Sequence, residues 1–363
     1  MPSFVTDLST RPRAAPAGAV AAVVILVVGI VAVLAGGGDS EAARGPATTT
    51  TVTDGAPPPA PPDDGPRAPL TGLPVDDPAS LAHPALVVKI DNADGVTVAR
   101  PQTGIDQADV VYEEEVEGSV TRFAAVFHST SPGKVGPVRS ARTTDVDLTA
   151  NLARPLFAWS GANGGTVAAL READLIDIGV DAASSDYARI DRPAPHNLYS
   201  DTGALFARAP EGAGAPAPLF QYRPDGAPLP AGAEPVTSVN VNFGDGPGSA
   251  PVDWTWDGAG WARSQRGTPH VLDGGVQLAP ENVVLLFVGY APSPADARSP
   301  EAETLGQGEA WVLTQGHLIR GRWNRPTADA PWNLTDASGA PLLLTPGHTW
   351  VPLPRSPDRV TVR

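Results

Sequence analysis

Apolar residues along this chain fall into short runs separated by Gly, Pro, Asn and Asp, with one long exception near the N-terminus. Leu86-Val87-Val88-Lys89-Ile90, Val110-Val111-Tyr112 and Phe123-Ala124-Ala125-Val126-Phe127 are bounded by turn residues and read as strands. Thr143-Thr144 caps a helix over Asp145 to Ala153 that Pro155 stops, a second helix fits Thr166 to Ala173, and Ser200-Asp201 opens a short one ending at Arg208. This mixture predicts a mixed α/β domain over 70–208. Residues 209–235, rich in Ala, Gly and Pro, read as a linker. Beyond them Trp254-Thr255-Trp256, Asp257-Gly258 and Trp261-Ala262-Arg263 predict a hairpin. Further short strands fit at Val283 to Tyr290, Ala310 to Leu313, Leu318 to Arg322, Leu342 to Leu344 and Thr349 to Leu353. The expected fold class is α+β, with the N-terminal mixed α/β domain followed by a smaller, mostly-β domain over 236–363.

The exception is residues 14–38, which carry no charge. That length matches the roughly 30 Å of a bilayer's hydrocarbon. Arg11 and Arg13 precede the run and the next basic residue is Arg44, so the positive-inside rule puts residues 1–13 in the cytoplasm and the rest outside. A single-pass signal-anchor in the cell membrane is the expectation, with a cleaved signal peptide as the alternative. Residues 39–69, with Thr48 to Thr51 and prolines 57–59, 61 and 62, read as a disordered, semi-extended tether.

Composition narrows the function. Hydrophobic residues make up 42% of the 363, enough for a core, while 41 Pro and 38 Gly account for the many turns. A net charge of −15 argues against nucleic acid, whose binding is driven by basic residues neutralising phosphates. With no cysteine, disulfides, thiolate metal sites and a cysteine nucleophile are excluded. No His-Glu-x-x-His, glycine-rich phosphate loop or Gly-x-Ser-x-Gly occurs, and nothing in the sequence requires a cofactor.

Polar residues of the first domain cluster at the ends of its strands: Arg100 and Gln102 before one, Glu113, Glu114, Glu115 and Glu117 at its end, Arg122 opening the next, and Arg139, Ser140 and Arg142 after it. If the strands at 110–112 and 123–127 pair antiparallel, the acidic run and Arg122 lie at one end. Arg139 and Arg142 are spaced to meet on a helical turn, and guanidinium forks suit phosphate or carboxylate. The competing reading is an internal salt-bridge network with the acidic run. That run also offers acid–base chemistry, or a hard-metal site with Asp145 and Asp147. His196, between Pro195 and Asn197, is a candidate proton carrier. Seven of the eight tryptophans follow residue 250, either filling a β core or stacking on sugars.

In order, Val88-Lys89-Ile90-Asp91-Asn92, Ala99-Arg100-Pro101-Gln102, Val111-Tyr112-Glu113-Glu114, Glu117-Gly118, Thr121-Arg122-Phe123, Gly136-Pro137-Val138-Arg139-Ser140-Ala141-Arg142 and Pro195-His196-Asn197 resemble the YerB-like family, whose bacterial members carry a lipoprotein label and domains of unknown function. Leu305-Gly306-Gln307-Gly308-Glu309-Ala310, Gly316-His317-Leu318-Ile319 with Trp323, and Pro346-Gly347-His348-Thr349-Trp350 match its C-terminal domain. The chain departs from the lipoprotein pattern in having no cysteine to carry a lipid. The resemblance implies an extracytoplasmic location and no known reaction. Three functions stand. The first is an envelope protein binding an anionic ligand (a cell-wall glycan, a teichoic-type polymer or a lipid-linked pyrophosphate) through Arg100, Gln102, Arg122, Arg139, Ser140, Arg142 and Asn197. The second is an envelope enzyme of phosphoryl- or glycosyl-transfer type using Glu113, Glu114 or Glu117 with His196. The third is a scaffold for envelope proteins.

Overall fold

A computed structural model describes residues 65–94 and 98–363. The membrane span expected at 14–38, the cytoplasmic segment 1–13 and the tether up to residue 64 lie outside the described residues. Among the described ones, no helix is long and apolar enough to cross a membrane.

Three apolar strands form the centre: β1 (Leu86–Asp91), β2 (Val110–Glu115) and β3 (Thr121–Phe127), all buried along their length. β3 lies between the others and pairs antiparallel with both. Burial on both faces explains why the runs lack apolar–polar alternation. Leu86, Val88, Ile90, Val111, Phe123, Ala125 and Phe127 face one core, and Val87, Val110, Tyr112, Ala124 and Val126 face the other. Successive side chains point to opposite faces, so the polar residues at the strand ends are sorted the same way.

The sheet continues through residues that the sequence reading assigned to a separate β domain. Thr349–Pro352 pairs parallel with β2 and with Asn282–Leu286, which leads on to Gly306–Thr314, His317–Arg325 and Asn333–Asp336. On the other side β1 pairs parallel with Leu156–Ala158, giving an eleven-stranded sheet. A five-stranded sheet built on Ser238–Val241, Val252–Trp256 and Trp261–Gln265 covers one face through Val239, Trp254 and Trp261. Leu148, Leu152, Trp159 and Leu170 belong to the core on the other face.

The expected α+β class, a mixed α/β domain followed by a smaller, mostly-β one, is therefore corrected to a mostly β fold among the described residues. Its three α-helices among the described residues are short: α1 (Thr144–Thr149), α2 (Gly164–Glu172) and α3 (Thr202–Phe206). Local signals located them, but strong stops keep them small. After α1, a 3-10 turn leads to Ala153 and Arg154 at φ 54° and 64°, and then to Pro155.

Candidate functional site

Arg122, second residue of β3, is the organising side chain. The strand register puts Asp91 of β1 directly opposite on one side and Glu114 of β2 opposite on the other. Lys89, Asp91, Glu114 and Arg122 all project on the helix-bearing face, following the alternation that sends Val87, Tyr112 and Ala124 there. The Gly136–Arg142 segment then lies along the end of β1. Asp91 N–H donates to Pro137 C=O at 3.0 Å, Arg139 N–H to Lys89 C=O at 2.9 Å and Val138 N–H to Leu198 C=O at 2.7 Å. Gly136 stands at φ 150°, and a Cβ there would lie 2.7 Å from the Tyr199 ring, so the close approach requires glycine. The same pairing brings His196 to the end of β1. The Arg100-Pro101, Gly136-Pro137 and Ala194-Pro195 peptides in these loops are cis.

Asp91 is fully buried at the centre of this group. Its Oδ2 lies 2.8 Å from Arg139 Nε and 2.7 Å from His196 Nδ1, and its Oδ1 is 3.8 Å from Arg122 Nη2 and accepts from Ala93 N–H at 3.0 Å. Burial works against its charge, but Arg122 and Arg139, the Ala93 N–H and His196 outweigh it and hold the carboxyl below its usual range.

Arg122 is far less well served. Its side chain is 7% exposed, and among the described residues its hydrogen bonding comes down to a 3.5 Å contact from Nη1 to Ser140 C=O, with no partner for its Nε. Burial lowers its pKa, opposed by Asp91 and Glu114, while Arg142 and Arg139 lower it further. Arg139 is 26% exposed and pairs through Nε, and no described residue accepts from its Nη atoms.

The other candidates have partners of their own. Arg142 Nη2 donates to Glu117 Oε2 at 2.6 Å and its Nη1 to Ala141 C=O at 2.8 Å, while Ser299 donates to Glu117 Oε1. Glu117 is half-buried, and although burial works the other way, Arg142 and Ser299 keep its pKa low. Arg100 pairs with Asp94 at 2.9 Å, and Asn197 accepts from Arg189 at 2.7 Å, away from the Asp91 cluster. Lys89, fully buried, bridges Glu114 at 2.5 Å and Asp145 at 2.6 Å. Burial pushes the Asp145 carboxyl up to about 6, with Lys89 opposing and Glu114 reinforcing the shift.

Glu113, one residue from Glu114, faces the five-stranded sheet instead. Its Oε1 accepts from Arg263 at 2.7 Å and Thr121 at 2.8 Å, and its Oε2 from the Trp350 indole at 2.8 Å. Arg263 is fully buried with the Phe123, Trp254 and Trp350 rings around its guanidinium at 5.4 to 5.7 Å. Its Nη1 meets His270 Nδ1 at 2.7 Å. Since that nitrogen must accept, His270 donates from Nε2 to Gln102 Oε1 at 2.8 Å, and Gln102 Nε2 donates to Asp91 C=O at 2.8 Å. Gln102 therefore links the two faces.

Arg122, Arg139 and His196 thus converge on Asp91, with Ser140 contributing a backbone carbonyl, whereas Glu113, Glu114 and Glu117 diverge from His196 and from one another. The hard-metal alternative is not assembled: among the described residues no group of three or more His, Asp or Glu is placed to hold an ion. Sequence reasoning gave no role to Asp91, Arg263 or His270. The signal for Arg263 was a charge at an inward position of the alternation Trp261, Arg263, Gln265.

The family described as "Protein of unknown function (DUF3048) N-terminal domain" matches residues 70–214, and its C-terminal domain matches 239–351. The chain belongs to this family. The YerB-like resemblance read from the motifs is borne out: the Bacillus subtilis (strain 168) protein described as "Putative lipoprotein YerB" is 28% identical over 303 residues, which are 78% of this chain and 85% of that protein. The crystal structure of YerB from Bacillus subtilis superposes with a TM-score of 0.70 at 24% identity, covering 82% of this chain and 99% of that one, and establishes likeness of fold. For this DUF3048 member, the motif residues Arg122, Arg139 and His196 assemble around Asp91, and Thr121 and Trp350 bond to Glu113.

Proposed function

We propose that this DUF3048 protein is an envelope-associated, extracytoplasmic protein that binds the phosphate or carboxylate group of a cell-wall polymer or lipid-linked precursor at Arg122 and Arg139. The lipoprotein label of its Bacillus relative supports the location. One observation carries the ligand: a nearly buried guanidinium at Arg122 with five donors and no hydrogen bond shorter than 3.5 Å. An unsatisfied buried donor costs about 1–3 kcal/mol, more when charged, so a site of this kind favours an acceptor-rich anion. Arg139, partly exposed and with both Nη groups unused by the described residues, supplies the way in, and Asp91 holds the two guanidinium groups together.

The test is calorimetric titration of the full chain with wall teichoic-type polymer, soluble glycan fragments and a short-chain polyprenyl pyrophosphate. Saturable binding that weakens about tenfold or more in Arg139→Ala with Arg142→Ala, and as salt rises, supports the reading. Equal binding by the double variant removes it.

A second reading, a transferase, is favoured by the 2.7 Å pairing of His196 Nδ1 with Asp91, a carboxylate–imidazole arrangement that orients a proton carrier. There the arginines would stabilise developing negative charge. Turnover of a labelled envelope substrate that His196→Ala abolishes favours this reading, and binding without turnover favours the first.

A further inference from the structure

The C-terminal motif Pro346 to Trp350 takes no part in the arginine cluster, and its last three residues, His348 to Trp350, line a cavity of about 330 Å³ between the 105–108 turn, the 276–281 segment and the start of the strand at 349–352. Ile105, Val111, Leu278 and Trp350 form apolar walls. At the rim, Val276 is 61% exposed, the highest value among the exposed large apolar side chains of the described residues. The turn before it explains this: Gly274 and Gly275 at φ 113° and 86° let Leu272 N–H close onto Val276 C=O, leaving the valine facing outward.

The polar groups of this cavity are built in place. Glu281 Oε2 accepts the His348 backbone N–H at 2.7 Å. Gly347, at φ 146°, makes room for that carboxylate, since a Cβ there would stand 2.6 Å from Glu281 Cγ. His348 Nδ1 lies 2.9 Å from Ala108 C=O and must donate to it, so in the neutral ring Nε2 is the acceptor. Asp106, exposed, also lines the cavity. The cavity therefore presents acceptors, two of them anionic, beside apolar walls, and its volume matches that of small-ligand sites.

From this chemistry we infer a second binding site, independent of the arginine cluster, that takes an alkylammonium group: a positively charged amine on a short aliphatic stem. The amine donates to Glu281, Asp106 and the His348 Nε2, and the stem lies against Val276, Leu278 and Trp350. The same chemistry is carried by a basic side chain in a peptide and by a free aliphatic diamine.

Full-length protein is titrated with pentylamine, 1,5-diaminopentane and Nα-acetyl-lysine methylamide, with 1-pentanol as the neutral isostere and glutarate as the anion, following tryptophan fluorescence and the His348 ring resonances. Saturable binding of the amines, at least about tenfold tighter than pentanol and weakened about tenfold by Asp106→Asn, is the expected result. Stronger binding of the lysine derivative than of the diamine assigns a peptide source, and the reverse a free amine. Asp106 is exposed, so this variant tests the site without disturbing the core, and Glu281→Gln should reproduce its effect. Pentanol binding as tightly as pentylamine, glutarate binding better than either, or no saturation by any probe overturns the inference. Because the His348 ring resonances report at the cavity itself, failure here leaves the Arg122 reading untouched, and the Arg139→Ala with Arg142→Ala variant should bind amines normally.

Discussion

Glu113 and Glu114 are neighbours on β2, yet they end in opposite kinds of environment. Both oxygens of Glu113 are taken, by Arg263, Thr121 and Trp350. Glu114 reaches Lys89 with one oxygen and keeps the other, buried, without a protein partner. The same contrast extends outward. On the face of the five-stranded sheet, Arg263 is sealed among three aromatic rings and bonded to Glu113, Gln265 and His270. On the helix-bearing face, Arg122 is nearly as buried but poorly bonded, and Arg139 opens to solvent. A buried charge with a matched partner fixes one packing arrangement, whereas one left short of partners is ready for a ligand.

The sharpest way to test this contrast is to remove the cation from each face. Arg263→Met leaves Glu113 buried and uncompensated, which should cost about 3–5 kcal/mol in urea unfolding while sparing anion binding by the protein that remains folded. A loss below about 1 kcal/mol would mean that the Glu113 network is not the rigid part of the molecule.

Arg122→Met should behave differently. Asp91 keeps Arg139 and His196, and Glu114 keeps Lys89, so no anion is stranded. The expected stability loss is about 1 kcal/mol, with anion affinity falling about tenfold or more. If Arg122→Met unfolds the protein as severely as Arg263→Met while binding survives in the folded fraction, the two faces do not differ and Arg122 is structural.

What could be read from the sequence follows the same division. β1, β2 and β3 were legible because burial on both faces leaves continuous apolar runs, and the proximity of the acidic run to Arg122 followed from antiparallel pairing. The shared sheet was not legible, because a parallel pairing of Thr349–Pro352 with β2 joins residues far apart in the chain and no local pattern records it. For the same reason the sequence reading could not tell that Arg263 and His270 would meet Glu113 and Gln102. Asp91 stood in a recognised motif but looked like the polar end of a strand, and only the register with Arg122 gives it a role. The tryptophans resolve to packing: Trp254, Trp261, Trp323, Trp332 and Trp350 are all buried.

The smallest expected effects are also the most discriminating, because the two faces respond to pH with opposite sign. His270 has its pKa pressed well below the usual value by burial, then by Arg263 and Arg100. The unfolded chain takes up a proton below about pH 6.5 that the folded protein refuses, so this contribution is present above that pH and is lost as pH falls. Asp145 has its carboxyl raised by burial to about 6, above the ordinary carboxylate range. Here the folded protein holds the proton longer, so the contribution is full below the unfolded value and is lost as pH rises through about 6. Melting curves from pH 4 to 8 for wild type, His270→Gln and Asp145→Asn separate the two. The wild-type advantage over His270→Gln should shrink toward acid, and the wild-type advantage over Asp145→Asn should shrink toward neutral. Gaps that move together would mean that one coupled network spans the sheet through Gln102, and the two-face distinction would then fail.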